Sequence, residues 1–252
     1  MATSEKPSKK DKDTSKVHKL SLKGSARLVA EFFQYSIHTI LYQRGVYPAE
    51  DFTVVKKYGL NMLVSSDDQV KAYIKKIMSQ LDKWMVGGKI SKLVIVITNK
   101  DTAEHLERWQ FDVQIMASPK SSKSSSKSKS SKPETNKAAQ VAGDENSNTN
   151  GAQQQQQQQQ QVAPEKTEQE IQQEIAAIFR QITASVTFLP QLDAGECTFN
   201  VLVYADADSE VPVEWGDSDA KEIENGEKVQ LRGFSTSSHR IETLVSYKTK
   251  DW

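Results

Sequence analysis

At residues 93–97 the chain reads Leu93-Val94-Ile95-Val96-Ile97, five consecutive apolar residues. Four of the five side chains are branched at Cβ, which favours the extended backbone of a strand. Because apolar and polar positions do not alternate here, we expect both faces of the strand to be covered. The run therefore predicts a strand that is central in its sheet.

Two further stretches alternate apolar and polar residues, which is the pattern of a strand with one buried face. Their apolar positions are Trp109, Phe111, Val113 and Ile115 in the first stretch, and Phe199, Val201 and Val203 in the second, which runs from Thr198 to Tyr204. Together with residues 93–97, these stretches predict a core sheet of three strands.

Three segments carry apolar residues at helical spacing and are predicted helices: Gly24 to about Arg44, Asp67 to about Val86, and Thr167 to about Val186. Ser66 with Gln69, and Thr167 with Glu170, have the spacing of capping boxes at the second and third helix. Between the first two helices, Gly45 to Gly59 predicts a short irregular hairpin. Helices that cover one face of a sheet make an α+β fold.

Two regions are too polar to contribute to a hydrophobic core. Residues 1–17 are rich in Lys and Ser, and residues 117–165 contain a Ser/Lys tract followed by nine glutamines at 153–161. Such segments cannot offset the entropy lost on ordering by burying apolar surface. We predict a disordered basic N-terminal extension and a disordered insertion in one domain that spans 18–252.

Composition excludes several classes of protein. The single cysteine, Cys197, excludes an intramolecular disulfide framework and suits a reducing compartment. No apolar run reaches the length of a membrane span. The formal net charge is +0, whereas direct nucleic-acid binding usually requires a clustered basic face. We expect a cytosolic or nuclear protein without a membrane or nucleic-acid partner.

Residues for catalysis are scarce. The four histidines are far apart in sequence, and none has a second ligand at the spacing of a metal site. Phosphate-binding loops and a G-x-S-x-G elbow are absent from the sequence, and Cys197 has no neighbouring base. We therefore expect a protein that is not an enzyme and that uses no metal or cofactor.

The region from Asp206 onward contains short apolar patches separated by acidic and glycine-containing turns. The patches are too short for a separate domain, and we expect them to pair as strands with an edge of the core sheet. They are Val211, Val213 and Trp215; Val229, Leu231 and Phe234; and Ile241, Leu244, Val245 and Tyr247.

From about Lys19 to Lys248, apart from the insertion, the chain resembles the HORMA-domain spindle-checkpoint family called mitotic arrest deficient two. The matching segments are Leu22-Lys23-Gly24-Ser25-Ala26, Val29-Ala30-Glu31-Phe32-Phe33, residues 40–48, Lys57-Tyr58-Gly59-Leu60, Leu106-Glu107-Arg108-Trp109-Gln110-Phe111-Asp112, residues 180–184 and Thr187-Phe188-Leu189-Pro190. The basic N-terminal extension and the long insertion depart from the family pattern.

The resemblance implies a HORMA domain with three helices on a central, mainly antiparallel sheet and a mobile C-terminal safety belt, residues 206–252. In the family's open state the belt covers the strand at 198–204. In the closed state it lies beside residues 107–115, displaces an N-terminal strand near Val17 to Leu22, and encircles a captured peptide. The captured peptide adds a strand to the freed edge, so that main-chain hydrogen bonds supply the generic affinity.

The resemblance also assigns roles to individual residues. The edge strand for the partner peptide would be Thr198, Phe199, Asn200, Val201, Leu202, Val203 and Tyr204. Dimerisation would use Arg180, Gln181 and Phe188; the safety belt would contribute Trp215, Phe234, His239, Val245 and Tyr247; and the belt would dock on Trp109, Phe111 and Val113.

The partners implied by the resemblance are a coiled-coil kinetochore receptor, the activator subunit of the anaphase-promoting complex, a second copy in an open–closed dimer, and a remodelling ATPase with its HORMA adaptor. Nucleus, cytoplasm, mitotic kinetochores and the nuclear-envelope region are the implied locations. One alternative is a HORMA paralogue that serves a translesion polymerase or a meiotic axis client. A second is nucleic-acid binding through the lysine tracts, which predicts affinity that collapses with salt.

Overall fold

The computed structural model describes residues 20–116 and 166–249, which all belong to one compact unit. The predicted disordered extension at 1–17 and the insertion at 117–165 lie outside the described residues. The elements are α1 (Leu22–Gln43), β1 (Phe52–Lys57), β2 (Leu60–Ser65), α2 (Asp68–Val86), β3 (Ile90–Asn99), β4 (His105–Ile115), α3 (Glu168–Ala184), β5 (Cys197–Ala205), β6 (Glu227–Ser235) and β7 (His239–Tyr247).

Five strands form one sheet in the order β5-β3-β4-β7-β6, and every neighbouring pair is antiparallel. Strand β3 has a neighbour on each side, and residues 93–97 are buried, so the predicted central strand is confirmed. The three predicted core strands are adjacent as β5-β3-β4, and β7 and β6 extend the sheet beyond β4. The expectation that patches of the last region pair with a sheet edge is confirmed for these two strands, whereas residues 211–215 form no strand.

The helices cover one face of the sheet. Phe111 of β4 meets Phe32 and Phe33 of α1 at ring-centroid distances of 5.7 and 5.5 Å. Trp109, Phe111 and Val113 are buried as predicted, whereas Ile115 is 47% exposed because it is the last residue of β4. Alternation along the strand directs Arg108, Gln110 and Asp112 to the opposite face.

Two local predictions around β1 and α2 are wrong. The hairpin is formed by β1 and β2 and turns at Tyr58-Gly59, where φ is 52° and 68°, so Gly59 is part of the turn rather than the end of the hairpin. The α2 helix begins after Asp67, whose Oδ1 accepts a hydrogen bond from the Val70 amide at 2.8 Å. This carboxylate takes the role that we expected of a Ser66–Gln69 capping box.

The start of α3 follows the sequence prediction. Thr167 Oγ1 accepts from the Glu170 amide at 3.2 Å, while Glu170 Oε2 accepts from the Thr167 amide at 2.7 Å. The capping box is therefore confirmed. No helix among residues 20–116 and 166–249 is long and apolar enough to cross a membrane.

Candidate functional site

Strand β5 forms a border of the sheet. Within the described residues it pairs with β3 alone, from Cys197 opposite Asn99 to Ala205 opposite Ile90. A border strand presents a row of unpaired backbone N–H and C=O groups that another extended chain can pair with. The stretch from Thr198 to Tyr204 therefore offers one hydrogen-bonding edge.

The two faces of β5 differ in their surroundings. On the helix side, the Phe199 ring lies 5.5 Å from Tyr73 of α2 and 6.3 Å from Tyr47. On the opposite side, Lys92 Nζ lies 5.0 Å from the centre of the Tyr204 ring. Alternate side chains of a chain placed beside β5 would therefore meet an aromatic surface on one face and a more polar surface on the other.

Tyr73 occupies part of the free edge. Burial raises the pKa of the Tyr73 hydroxyl, and a hydrogen bond from the Val201 backbone amide opposes that rise. The Val201 N–H thus points away from β3. Because backbone N–H groups alternate in direction along a strand, the amides of Phe199 and Val203 point to the same free border.

A crossing segment, residues 206–226, connects β5 to β6. Its first part is held on the helix side, where the Asp206 amide donates to the Lys89 carbonyl at 2.8 Å. The Trp84 Nε1–H donates to the Glu210 carbonyl at 3.0 Å, and the Trp215 ring packs edge-on against Trp84 at 5.2 Å. This part of the segment is therefore fixed to the C-terminal half of α2.

The second part of the crossing segment is held on the opposite face of the sheet by Arg108 of β4. Arg108 Nε donates to the Ala220 carbonyl at 3.0 Å, and Nη2 lies 3.2 Å from Glu222 Oε1. Arg108 is 1% exposed, although it is on the face away from α1. The segment therefore passes from the helix-covered face to the other face, having left the sheet at the free β5 strand.

Sequence reasoning did not single out Arg108. Alternation assigns it to the polar face of β4, and a polar face is ordinarily solvent-exposed. The contact with Ala220 joins positions 112 residues apart, so no local pattern could have indicated it.

Strands β6 and β7 form a hairpin in which β7 pairs with β4, from Glu107 opposite Tyr247 to Ile115 opposite His239. Val245 is buried against the core, and the Phe234 ring lies 4.9 Å from Phe32 of α1. The resemblance associates this position of the belt, beside residues 107–115, with the family's closed state.

The turn of the hairpin contacts the start of α1. Ser25 Oγ is 2.6 Å from both Thr236 Oγ1 and His239 Nδ1, and all three residues are buried. Burial lowers the pKa of His239, which favours the neutral imidazole. This network fastens the turn to the beginning of α1.

The three residues expected at a dimer contact are placed differently. Arg180 is exposed on α3, and Phe188 is 41% exposed with its ring 6.0 Å from that of Tyr247. The Gln181 side chain instead turns inward, and its Oε1 accepts a hydrogen bond from the Arg232 amide of β6 at 2.7 Å. Only Arg180 and Phe188 therefore present their side chains at the surface.

Neither metal-ligand groups nor an activated thiol is found among the described residues. No group of three His, Cys, Asp or Glu side chains in this part of the chain could hold a metal ion. Cys197 is buried, and burial raises the pKa of its thiol, which opposes thiolate formation.

Comparison with known proteins gives concordant matches. The HORMA domain family profile matches residues 25–239. The mitotic spindle checkpoint component mad2 of Schizosaccharomyces pombe is 50% identical over 228 residues, which are 90% of this chain and 94% of that relative.

Solved structures share the fold. A chain of the crystal structure of the mitotic checkpoint complex is 47% identical, with a TM-score of 0.68, and the match covers 90% of this chain and 99% of that chain. C. elegans HTP-2 bound to the HIM-3 closure motif has a TM-score of 0.63 over 96% of this chain and 99% of that chain; at 14% identity it shows the fold alone. This chain belongs to the HORMA-domain family of mitotic spindle checkpoint components.

Proposed function

We propose that this protein is a non-enzymatic checkpoint adaptor that captures a short peptide on β5 and encloses it with the crossing segment. The free edge of β5 carries the proposal, because it is a border strand with aromatic side chains on one flank. A captured peptide would add a strand there, with main-chain hydrogen bonds providing affinity and alternate side chains providing selectivity.

The two attachments of the crossing segment support enclosure. Trp84 holds the segment on the helix side, and Arg108 holds it on the other face. A peptide beside β5 would lie between these attachments, and its release would require one of them to open. Enclosure therefore slows dissociation and lengthens the residence time of the peptide. Affinity differences among related complexes arise mostly from the dissociation rate.

The proposal includes a second arrangement in which the β6–β7 hairpin leaves β4 and covers β5. In that arrangement no peptide could bind, so the ratio of the two arrangements sets the apparent affinity. A receptor-bound closed copy would recruit an open copy through Arg180 and Phe188 and promote its conversion. A remodelling ATPase with its HORMA adaptor would return the closed form to the open one.

The proposed clients are a coiled-coil kinetochore receptor and the activator subunit of the anaphase-promoting complex, whose capture would delay anaphase. The corresponding locations are mitotic kinetochores, the nucleus with its envelope region, and the cytoplasm. A HORMA protein with a translesion-polymerase or meiotic-axis client is the alternative. Binding assays with peptides from each client class distinguish the two proposals, since each predicts a different preferred motif.

Removal of one outward backbone donor tests capture on β5. In Val203→Pro the amide that points to the free border is lost, while the β3 hydrogen bonds of the neighbouring residues remain. We expect the domain to stay folded and its affinity for the client peptide to fall at least about tenfold. This is the effect of losing one hydrogen bond between uncharged groups, together with local strain. Val203→Thr is the matched control, because it keeps both the amide and the side-chain shape.

Titration calorimetry with receptor peptide measures the affinity of each variant, and circular dichroism shows whether the variant is folded. Equal affinity of Val203→Pro and the parent chain would show that peptides do not pair with β5.

For self-association, Arg180→Glu should abolish the open–closed dimer in analytical ultracentrifugation and leave peptide affinity unchanged. Loss of both properties would show that Arg180 is needed for the fold.

A further inference from the structure

Strand β6 contains a bulge where it faces β7. Leu231 lies opposite Thr243, and the next paired residue, Phe234, lies opposite Ile241, so three steps on β6 match two on β7. The extra residue allows Leu231 and Phe234 both to point into the core, where they are 5% and 3% exposed. A Cβ atom on Gly233 would lie 2.2 Å from the Ile241 carbonyl oxygen, so the bulge requires glycine at this position.

A bulge leaves a backbone amide without a partner in the ladder. The Arg232 amide at this bulge donates to Gln181 Oε1 of α3 at 2.7 Å. A backbone amide in β6 is thus paired by a helix side chain rather than by a strand.

A second contact between α3 and β6 lies seven residues earlier on the helix. Glu174 Oε2 accepts from the Ser235 amide at 3.3 Å, and Lys166 Nζ bridges Glu174 and Ser235 Oγ at 2.6 and 2.8 Å. Positions seven apart lie two turns along the same helix face. One face of α3 therefore covers the outer border of β6, and Gln181 is its contact at the bulge.

Gln181 is adjacent to Arg180, but the two side chains have different surroundings. Gln181 is half-buried and bonded to the hairpin, whereas Arg180 is exposed. The Gln181 contact exists only while the hairpin is paired with β4. A departure of the hairpin would release the Gln181 amide beside the surface that carries Arg180.

We propose that Gln181 is a positioning residue that stabilises the hairpin on β4 and links hairpin position to the α3 surface around Arg180. The inference rests on the two arrangements of the proposed function. It differs from a direct dimer contact, because it assigns Gln181 a partner within its own chain. Gln181 would contribute to partner binding only when the hairpin is elsewhere.

The test compares Gln181→Leu with three other variants of the full chain. Gln172→Leu is the matched control, because Gln172 is exposed on α3 and its side chain donates to Glu168 of the same helix. Gln181→Glu keeps an acceptor at the bulge, and Arg180→Ala removes the surface charge. Hydrogen exchange of residues 227–235 reports the contact, and ion-exchange chromatography reports the ratio of the two arrangements.

Gln181→Leu should accelerate exchange at Arg232 and lower the ratio of closed to open protein about two- to tenfold, the range of one net hydrogen bond. Gln181→Glu should have the same ratio of closed to open protein as the parent chain, because the Glu side chain keeps an acceptor for the Arg232 amide. Gln172→Leu and Arg180→Ala should leave exchange and ratio unchanged, although Arg180→Ala should weaken self-association.

If the parent chain elutes as two species and Gln181→Leu does not change their ratio, the inference is wrong. Faster exchange at Arg232 in that variant would not alter this conclusion. A parent chain that elutes as one species both with and without receptor peptide would instead overturn the proposed switch, and the inference with it. A fall in the ratio for Gln172→Leu equal to that for Gln181→Leu would show a general effect of apolar substitution on α3 and would also refute the inference.

Discussion

The guanidinium of Arg44 and the carboxylate of Glu107 form a buried bidentate ion pair between the end of α1 and strand β4. Arg44 Nε lies 2.8 Å from Oε1 and 3.0 Å from Oε2. Glu107 also accepts from Trp109 Nε1 at 3.1 Å, and Arg44 donates to the Pro190 carbonyl. One pair thus joins the first helix, the sheet and the loop that leads from α3 to β5.

Removal of one partner of this pair should destabilise the domain strongly. Because Glu107 is 1% exposed, Arg44→Met leaves its carboxylate buried without a counter-charge, which costs about 3–5 kcal/mol of unfolding free energy. Urea titration followed by circular dichroism measures the loss. Arg44→Met combined with Glu107→Leu should recover part of the stability, since no isolated charge remains.

The exposed pair Lys71–Asp68 provides the control for this experiment. Its side chains are 49% and 95% exposed, so solvent screens the pair and Lys71→Met should leave the stability close to that of the parent chain. Equal effects of Lys71→Met and Arg44→Met would contradict the argument from burial.

Loosening the attachment of the crossing segment should shorten peptide residence. Arg108→Met removes the hydrogen bond to Ala220 and the ion pair with Glu222 while keeping much of the side-chain volume. We expect the dissociation rate of a captured receptor peptide to rise by about one to two orders of magnitude, because charged hydrogen bonds contribute about 1.5–3 kcal/mol. Stopped-flow fluorescence with labelled peptide measures that rate.

Arg240→Met is a suitable control for Arg108→Met, because the Arg240 side chain is exposed and forms an ion pair with Glu242 of its own strand. An unchanged dissociation rate in Arg108→Met would mean that this attachment does not limit release. An equally large increase in Arg240→Met would assign the effect to net charge.

Stability should fall as the pH drops from 6.5 towards 4. Burial lowers the pKa of His38 to about 4 from its ordinary 6.5, and the neutral Nδ1 accepts from the Ser65 amide at 3.2 Å. Between these values the unfolded chain binds a proton that the folded chain does not, so acid favours unfolding. The expected loss from pH 7 to pH 5 is about 2 kcal/mol for this residue.

Urea titrations at pH 7 and pH 5 test the role of His38. His38→Asn keeps an acceptor for the Ser65 amide but does not titrate, so the difference between the two pH values should shrink by about 2 kcal/mol. His239, whose pKa burial also lowers, should continue to contribute in the same direction. An undiminished pH difference in His38→Asn would exclude His38 as its source.

Freeing the edge of β5 should speed peptide entry. Tyr73→Phe removes the hydroxyl that accepts from the Val201 amide but keeps the ring that packs on Phe199. Because that amide must exchange its partner when a peptide pairs with β5, we expect about a two- to tenfold faster association rate. Stopped-flow fluorescence measures the association rate of the peptide, and Tyr35→Phe is the control. An association rate unchanged by Tyr73→Phe would show that the Tyr73 hydroxyl does not obstruct the edge of β5.

The local elements could largely be predicted from sequence because their signals lie within a few residues. Branched apolar residues at 93–97 predict β3, and the Thr167–Glu170 spacing predicts the start of α3. A prediction failed where two neighbouring residues can both cap a helix. Ser66 and Asp67 are both suitable N-caps for α2, and the spacing alone does not show which of them is used. The position of a turn such as Tyr58-Gly59 likewise depends on which residues take up positive φ.

The amino-acid sequence by itself determined the helices, the alternating strands and, through resemblance, the family. Only the tertiary structure decided that Arg108 holds the crossing segment and that Gln181 contacts β6. The physical reason is that strand order and buried polar contacts depend on residues far apart in the chain. A period of two shows that a strand has a buried face, but it does not show which strand lies beside it.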